Sequence, residues 1–150
     1  MKNVLELLER TAARLPRQTA FADQQCSYDY QTVVNIAGSV GSALAANGER
    51  NCPVAVLMER GAPCLVTLMG VLYSGNFYVV LDPEMPAERV NKILRTLQPT
   101  ALICDEAHKD DPAGLDYDGK VYSAEALAAG QAQPELLQTV RRRMIDTDPA

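Results

Sequence analysis

The chain is poor in the residues from which most active sites are assembled. It has one histidine, His108, and four cysteines, Cys26, Cys52, Cys64 and Cys104. No two cysteines make a CxxC pair, which removes zinc-ribbon and thioredoxin-type spacings. No GxSxG elbow is present, and no cysteine carries a nucleophile signature, so Ser–His and Cys–His hydrolysis have no footing. A GxxxxGK[ST] phosphate loop is also missing, and no glycine is followed by Lys-Ser or Lys-Thr. Gly38-Ser-Val-Gly41 is no substitute, because it lies inside a helical pattern and phosphate loops precede their helix.

Positive charge is scarce as well. Lys and Arg number 14 against 19 Asp and Glu, a net charge of −5, whereas a nucleic-acid binder carries a basic footprint. Arg141-Arg142-Arg143 falls in the last turn of a helical pattern, where cations favour the helix dipole. The N-terminus has no uninterrupted apolar core of the secretory kind. Gly61–Leu81 holds no charged residue, but Gly75-Asn76 breaks it, which reads as helix, turn and strand rather than a membrane span. A reducing cytoplasm is the expected location, with no membrane and no nucleic-acid partner, and the four thiols are expected as small buried hydrophobes.

Asp105-Glu106-Ala107-His108 follows an apolar run and looks like the magnesium-holding acidic box of a DEAH-type helicase. That chemistry requires a phosphate loop, so a solvated acidic loop is the expected state. Three or four convergent ligands make a specific metal site, and one histidine in the run Asp105–Asp111 does not supply them. No metal site is expected.

What is present is a core. The 150 residues are 47% apolar and 22% charged, one domain's worth of chain without the composition of a disordered or disulfide-stapled protein. Leu5, Leu8, Ala12 and Leu15 fall at helical spacing before Pro16. Residues 19–22 and 26–28 read as a short strand pair. Asp29 reads as an N-cap for a helix with Val33, Ala37, Val40 and Leu44 on its apolar face, stopped by Gly48. The small residues of that helix, among them Gly38 and Gly41, predict close packing against a neighbour. Residues 53–58, 77–81 and 100–104 are continuous apolar runs, the pattern of strands buried on both faces. Between them lie helical stripes, Leu65, Leu68, Met69 and Leu72, then Val90, Ile93, Leu94 and Leu97. Pro86 suits the first position of the second of these helices. A short strand at 120–122, a helix capped by Ser123 and a helix from Pro134 through Met144 complete the pattern. Strand–helix alternation at this spacing predicts right-handed βαβ units: an α/β fold with a mostly parallel sheet flanked by helices and a short N-terminal strand pair.

The stretch Val54–Arg89 resembles the adenylate-forming (AMP-binding) superfamily. A core motif of that family runs leucine-lysine-alanine-glycine, two residues, then tyrosine-valine-proline-leucine-aspartate-proline. This chain has Leu72-Tyr-Ser-Gly75, two residues, then Tyr78-Val-Val-Leu-Asp82-Pro83, with Tyr73, Ser74 and Val80 departing from the pattern. Ser27-Tyr28-Asp29-Tyr30 is similar to the threonine-tyrosine motif before a helix. Asp82-Pro83 followed by Pro86-Ala-Glu-Arg89 looks like the amino-acid-activating branch, which holds nonribosomal peptide synthetases and D-alanine–carrier-protein ligases.

The resemblance implies an incomplete flavodoxin-like layer, with residues 1–150 an N-terminal fragment of an adenylation domain and no second domain. It implies a parent enzyme that uses ATP and magnesium to turn an amino acid into an aminoacyl-adenylate, then passes the acyl group to a phosphopantetheinyl carrier protein. The family's phosphate loop, nucleotide contacts, substrate pocket and catalytic lysine lie further along its sequence than this chain reaches. No catalytic, cofactor-binding or metal-binding residue is therefore assigned from the sequence, and the fragment alone is expected to be inactive. Tyr28, Gly75, Asp82, Pro83, Pro86 and Arg89 are the family-motif positions, with structural roles implied. A sheet edge left uncovered predicts self-association. The alternative is a stand-alone flavodoxin-like protein-interaction module without catalysis.

Overall fold

The apolar runs at 53–57, 77–81 and 101–104 become neighbouring strands of one parallel sheet. The computed structural model describes residues 4–143. In chain order the elements are α1 (Val4–Arg14), β1 (Thr19–Ala22), β2 (Ser27–Asp29), α2 (Tyr30–Ala45), β3 (Pro53–Leu57), α3 (Ala62–Tyr73), β4 (Phe77–Leu81), α4 (Ala87–Leu97), β5 (Ala101–Cys104), β6 (Lys120–Ser123), α5 (Ala124–Ala128) and α6 (Pro134–Arg143). Strands β1 and β2 pair antiparallel. The larger sheet has the order β4-β3-β5-β6, with every pair parallel.

Alternation along β3 explains the layers. Val54 and Val56 face a core with Val40 and Leu44 of α2, Leu68 and Val71 of α3, and Leu127 of α5. Ala55 and Leu57 face the other way, toward Val90 and Leu94 of α4. A third cluster joins α1 to α2 and α3 through Leu5, Leu8, Val33 and Leu72, with Phe21 and Tyr28 of the strand pair packed against it. Helices therefore cover both faces, as the buried strand pattern requires.

The turn signals act where the sequence puts them. Asp29 caps α2, its Oδ1 accepting from the Thr32 amide at 2.8 Å, and the Ser123 hydroxyl accepts from the Ala126 amide at 3.2 Å. Gly48 and Gly75 take φ of +81° and +83° just past their helices, a conformation that glycine adopts without strain. The small residues of α2 admit α3, because Gly41 lies against Tyr73 and Gly70 lies against Val40.

Several expectations are corrected. Leu65 is 44% exposed and Leu15 45% exposed, outside the buried stripes that their spacing suggests. Val80 is 47% exposed because β4 is an edge strand, whereas Val54 to Leu57 on the central β3 are all buried. Pro86 is the N-cap of α4, one residue before the helix. Cys64 and Cys104 are buried, but Cys26 and Cys52 are only half-buried. Met144, the expected end of the last helix, lies outside the described residues. Among the described residues no helix is long and apolar enough to cross a membrane.

Candidate functional site

In an open parallel sheet, ligands settle outside the strand C-termini where the strand order reverses. Here that point lies between β3 and β5, because the chain leaves β3 for β4 on one side and reaches β5 on the other. A crevice of about 250 Å³ opens there, lined by Met58, Glu59 and Arg60 after β3, Asp105 and Glu106 after β5, and Asp23 of the β1–β2 turn.

The Asp105–His108 run is the solvent-facing acidic segment after a strand that its composition suggests, with Glu106 and Ala107 exposed, but it is ordered. It forms a 3-10 turn over Glu106–His108, followed by another over Asp111–Gly114. Asp105 ties two strand ends together, Oδ1 accepting from the His108 amide at 3.1 Å and Oδ2 from the Glu59 amide at 3.0 Å. The Glu106 carboxylate accepts from Lys109 Nζ at 2.9 Å, and the Glu106 amide donates to Glu125 at 3.1 Å. The His108 side chain is 17% exposed, with Nε2 2.7 Å from Glu59 Oε1 and Nδ1 2.8 Å from Asp111 Oδ2. The carboxylates are thus occupied with amides and cations of this chain. Among the described residues, no group of three or more His, Cys, Asp and Glu is placed to hold a metal ion.

Asp23 has a role that its sequence neighbourhood does not announce. Its Oδ1 accepts from the Gln25 and Cys26 amides, each at 2.8 Å, and its Oδ2 accepts from the Ala62 amide at 2.7 Å. The N-cap of α3 is Gly61, which has no side chain to offer, so Asp23 of the strand pair supplies the cap from elsewhere in the chain. The bond to Ala62, then those to Cys26 and Gln25, hold its carboxyl below the usual range. A run such as Ala-Asp-Gln-Gln signals only a turn, and nothing in it points to a helix 39 residues away.

The family-motif positions occupy strand ends and turns. Tyr28 is half-buried on β2, and burial, with Cys26 beside it, raises its phenol above the ordinary range. A Cβ on Gly75 would lie 2.7 Å from Val140 Cγ1 and 2.9 Å from Arg50 Cδ. Asp82 accepts from the Glu84 amide at 2.9 Å and stands 3.9 Å from Arg60 Nη2. Pro83 shares with it a cavity of about 200 Å³. Arg89 is exposed in the first turn of α4, its amide donating to the Pro86 carbonyl at 3.0 Å. The structure brings Asp82 and Pro83 together and places Tyr28 in a different cavity.

Arg141, by its position a helix-end cation, instead reaches α1. Its Nη1 and Nη2 donate to the two oxygens of Glu9 at 3.2 and 3.3 Å. Tyr73 Oη donates to the same carboxylate at 2.8 Å, and the guanidinium lies 5.6 Å from the Tyr73 ring centre. This trio stands beside a groove of about 460 Å³ that also takes in Val34, Gly38 and Leu137.

Sheet order, helices on both faces and the crevice at the order reversal define a doubly wound α/β layer of the flavodoxin type. Residues 8–148 match the AMP-binding enzyme family, and the chain belongs to that family, within the adenylate-forming superfamily. It is 29% identical over 103 residues to tyrocidine synthase 3 of Brevibacillus parabrevis, an alignment covering 68% of this chain and 2% of that protein. It is 32% identical over 109 residues to the probable non-canonical nonribosomal peptide synthetase CymA of Salinispora arenicola, covering 72% of this chain and 1% of that protein. Among solved structures, the AMPPNP-bound form of a variant of the nonribosomal peptide synthetase FmoA3 superposes with a TM-score of 0.78. That match is at 22% identity, over 87% of this chain and 14% of the other, and shows a shared fold. The chain thus spans a small part of the proteins it matches.

Proposed function

We propose that this chain is the first α/β layer of an ATP-dependent, amino-acid-activating ligase of the nonribosomal peptide synthetase kind. The observation that carries the reading is the family match, which runs from residue 8 to residue 148 and so through every strand of the parallel sheet. In the whole enzyme an amino acid and ATP give an aminoacyl-adenylate and pyrophosphate, and the acyl group then passes to the thiol of a phosphopantetheinyl carrier protein. The D-alanine–carrier-protein ligases share that chemistry and are the neighbouring assignment.

The residues described do not fit ATP and magnesium. The N-terminus of α3, at the crevice, already holds the Asp23 carboxylate. The crevice is lined by carboxylates that would repel a polyphosphate. The role proposed for the described residues is to form a packed layer on which the rest of an adenylation domain is built.

Two measurements test this. Isothermal calorimetry with ATP and magnesium is expected to show no micromolar binding to residues 1–150, and such binding would overturn the assignment of the nucleotide site elsewhere. Residues 8–148 are also expected to replace a matched segment of tyrocidine synthase 3 while keeping amino-acid-dependent exchange of pyrophosphate into ATP. A soluble, folded chimera without exchange would refute the shared role.

A further inference from the structure

We propose that His108 is a proton-controlled latch: as the doubly protonated imidazolium it pins residues 109–114 to the end of β3, and on losing its proton it lets that segment go. The geometry of the two ring nitrogens carries the idea. Nε2 is 2.7 Å from Glu59 Oε1, and Nδ1 is 2.8 Å from Asp111 Oδ2. A carboxylate only accepts, and a neutral imidazole has one N–H and one bare lone pair. Neutral His108 would set a lone pair against a carboxylate oxygen at one of those two contacts. Only the imidazolium donates to both, and both lengths are those of charge-assisted bonds. The ring is 17% exposed, whereas the Glu59 and Asp111 side chains are 64% and 46% exposed, so a carboxylate facing the bare lone pair of the neutral ring can turn away into water.

The charged groups around the ring have one sign. Glu59 comes from the segment after β3, Asp105 from the end of β5 and Asp111 from the second 3-10 turn. Lys109, next in sequence, is engaged by Glu106, and Glu125 of α5 accepts from the Glu106 amide. The bonds to Glu59 and Asp111, and then the charges of Asp105 and Asp111, hold His108 above its ordinary value against the opposing effect of burial. The folded chain therefore keeps the proton over a pH range in which the unfolded chain has released it. The contribution is full below the ordinary histidine value and is lost as pH rises through the raised one.

Release is local. Asp105 holds the first turn through backbone amides of His108 and Glu59, neither of which titrates, so the start of the loop stays anchored. The part freed is residues 109–114, and with it the Glu59 side chain. Glu59, Asp105 and Glu106 line the crevice at the ends of β3 and β5, and of these the latch holds the Glu59 carboxylate. The latch rests on the geometry of this chain alone and stands apart from its proposed enzymatic role.

His108 is the only histidine, so one imidazole signal reports on it without ambiguity. The test is a nitrogen-15 NMR titration of the imidazole, with amide-exchange protection factors recorded over the same pH range. The expected result is a midpoint above the ordinary value of about 6.5, with the ring protonated on both nitrogens below it. Glu59→Gln and Asp111→Asn are each expected to lower that midpoint. Protection at Lys109 and Ala113, whose amides donate to the Glu106 and Asp110 carbonyls, is expected to fall across it, while protection in β3 holds. In His108→Ala the pH dependence of that protection is expected to be lost. A midpoint at or below the ordinary value would overturn the proposal. So would loop protection in the parent chain that is unchanged across the titration.

Discussion

The crossing of α2 and α3 offers a sharp test, because helix propensity and packing oppose each other there. A Cβ on Gly70 would lie 2.5 Å from both Cβ and Cγ1 of Val40, and one on Gly41 would lie 2.5 Å from Tyr73 Cβ and 3.0 Å from the Gly70 carbonyl oxygen. Carbon atoms rest about 3.5–4.0 Å apart, so Gly70→Ala forces the helices to separate by about 1 Å. The contacts affected are core contacts, with Val40 and Val71 fully buried and Leu44 and Leu68 beside them. Overpacking of a well-packed core costs about 1–3 kcal/mol, and this site belongs at the upper end. Removing a helical glycine returns about 1 kcal/mol. The net expectation is a loss of about 2 kcal/mol, read from urea denaturation as a lower midpoint at constant slope, or as a Tm lower by about 4–8 °C. Gly41→Ala should cost a similar amount, and the double variant less than the sum, because helices already separated give room for the second methyl. Gly38→Ala, on the same helix, is the control. Its Cβ meets Ala132 Cβ at 3.1 Å and Leu137 Cδ1 at 3.7 Å, so it should lie near neutral. A Gly70→Ala chain as stable as the parent would refute the close-approach argument.

Two further outcomes follow from the polar contacts. Tyr73 is 4% exposed, and burial, then its bond to the Glu9 carboxylate, keeps its phenol protonated well above the ordinary value of 10.0. The unfolded chain releases that proton first, so stability should fall as pH rises past that value, and Tyr73→Phe should flatten the alkaline limb of a denaturation-midpoint profile while costing about 1 kcal/mol at neutral pH. Asp23 is held below the ordinary carboxylate range, so its contribution is present at neutral pH and lost as pH falls through the lowered value. Asp23→Asn should weaken that acid dependence and speed amide exchange at Ala62, and unchanged protection there would show that the carboxylate is not the cap of α3.

Much of this architecture can be read from local pattern. The continuous runs at 53–57 and 101–104 announce strands buried on both faces, and Asp29, Gly48, Gly75 and Ser123 mark helix limits because capping and positive φ are properties of one or two residues. What local pattern misses depends on strand order. The run 77–81 is as apolar as its neighbours, yet Val80 lies at an edge, and hydrophobic periodicity carries no information about which strand comes last in a sheet. The site contacts are hidden for a related reason. Arg141 meets Glu9 across 132 residues, and His108 meets Glu59 across 49. Each residue has an ordinary local explanation, as a helix-end cation or a solvated loop member, and nothing nearby in sequence contradicts it. The family resemblance is legible because its motif residues mark turns with fixed spacing between them.

The strand order β4-β3-β5-β6 also sets a schedule for synthesis. The central strand β3 gains its first neighbour, β4, soon after it is made. Its other edge waits for β5, roughly forty residues later, which at about 5–20 residues per second leaves that edge open for about 2–9 s on the ribosome. The sequence Val-Ala-Val-Leu exposed in that interval is apolar, uncharged and rich in strand-forming residues, the kind of segment that pairs with any edge it meets. Covering by α2, which is made before β3 and packs on the same face as Val54 and Val56, protects one side of the strand but not its open backbone edge. The arrival of residues 101–104 closes that edge, so the strand order ties protection of β3 to a segment made well after it.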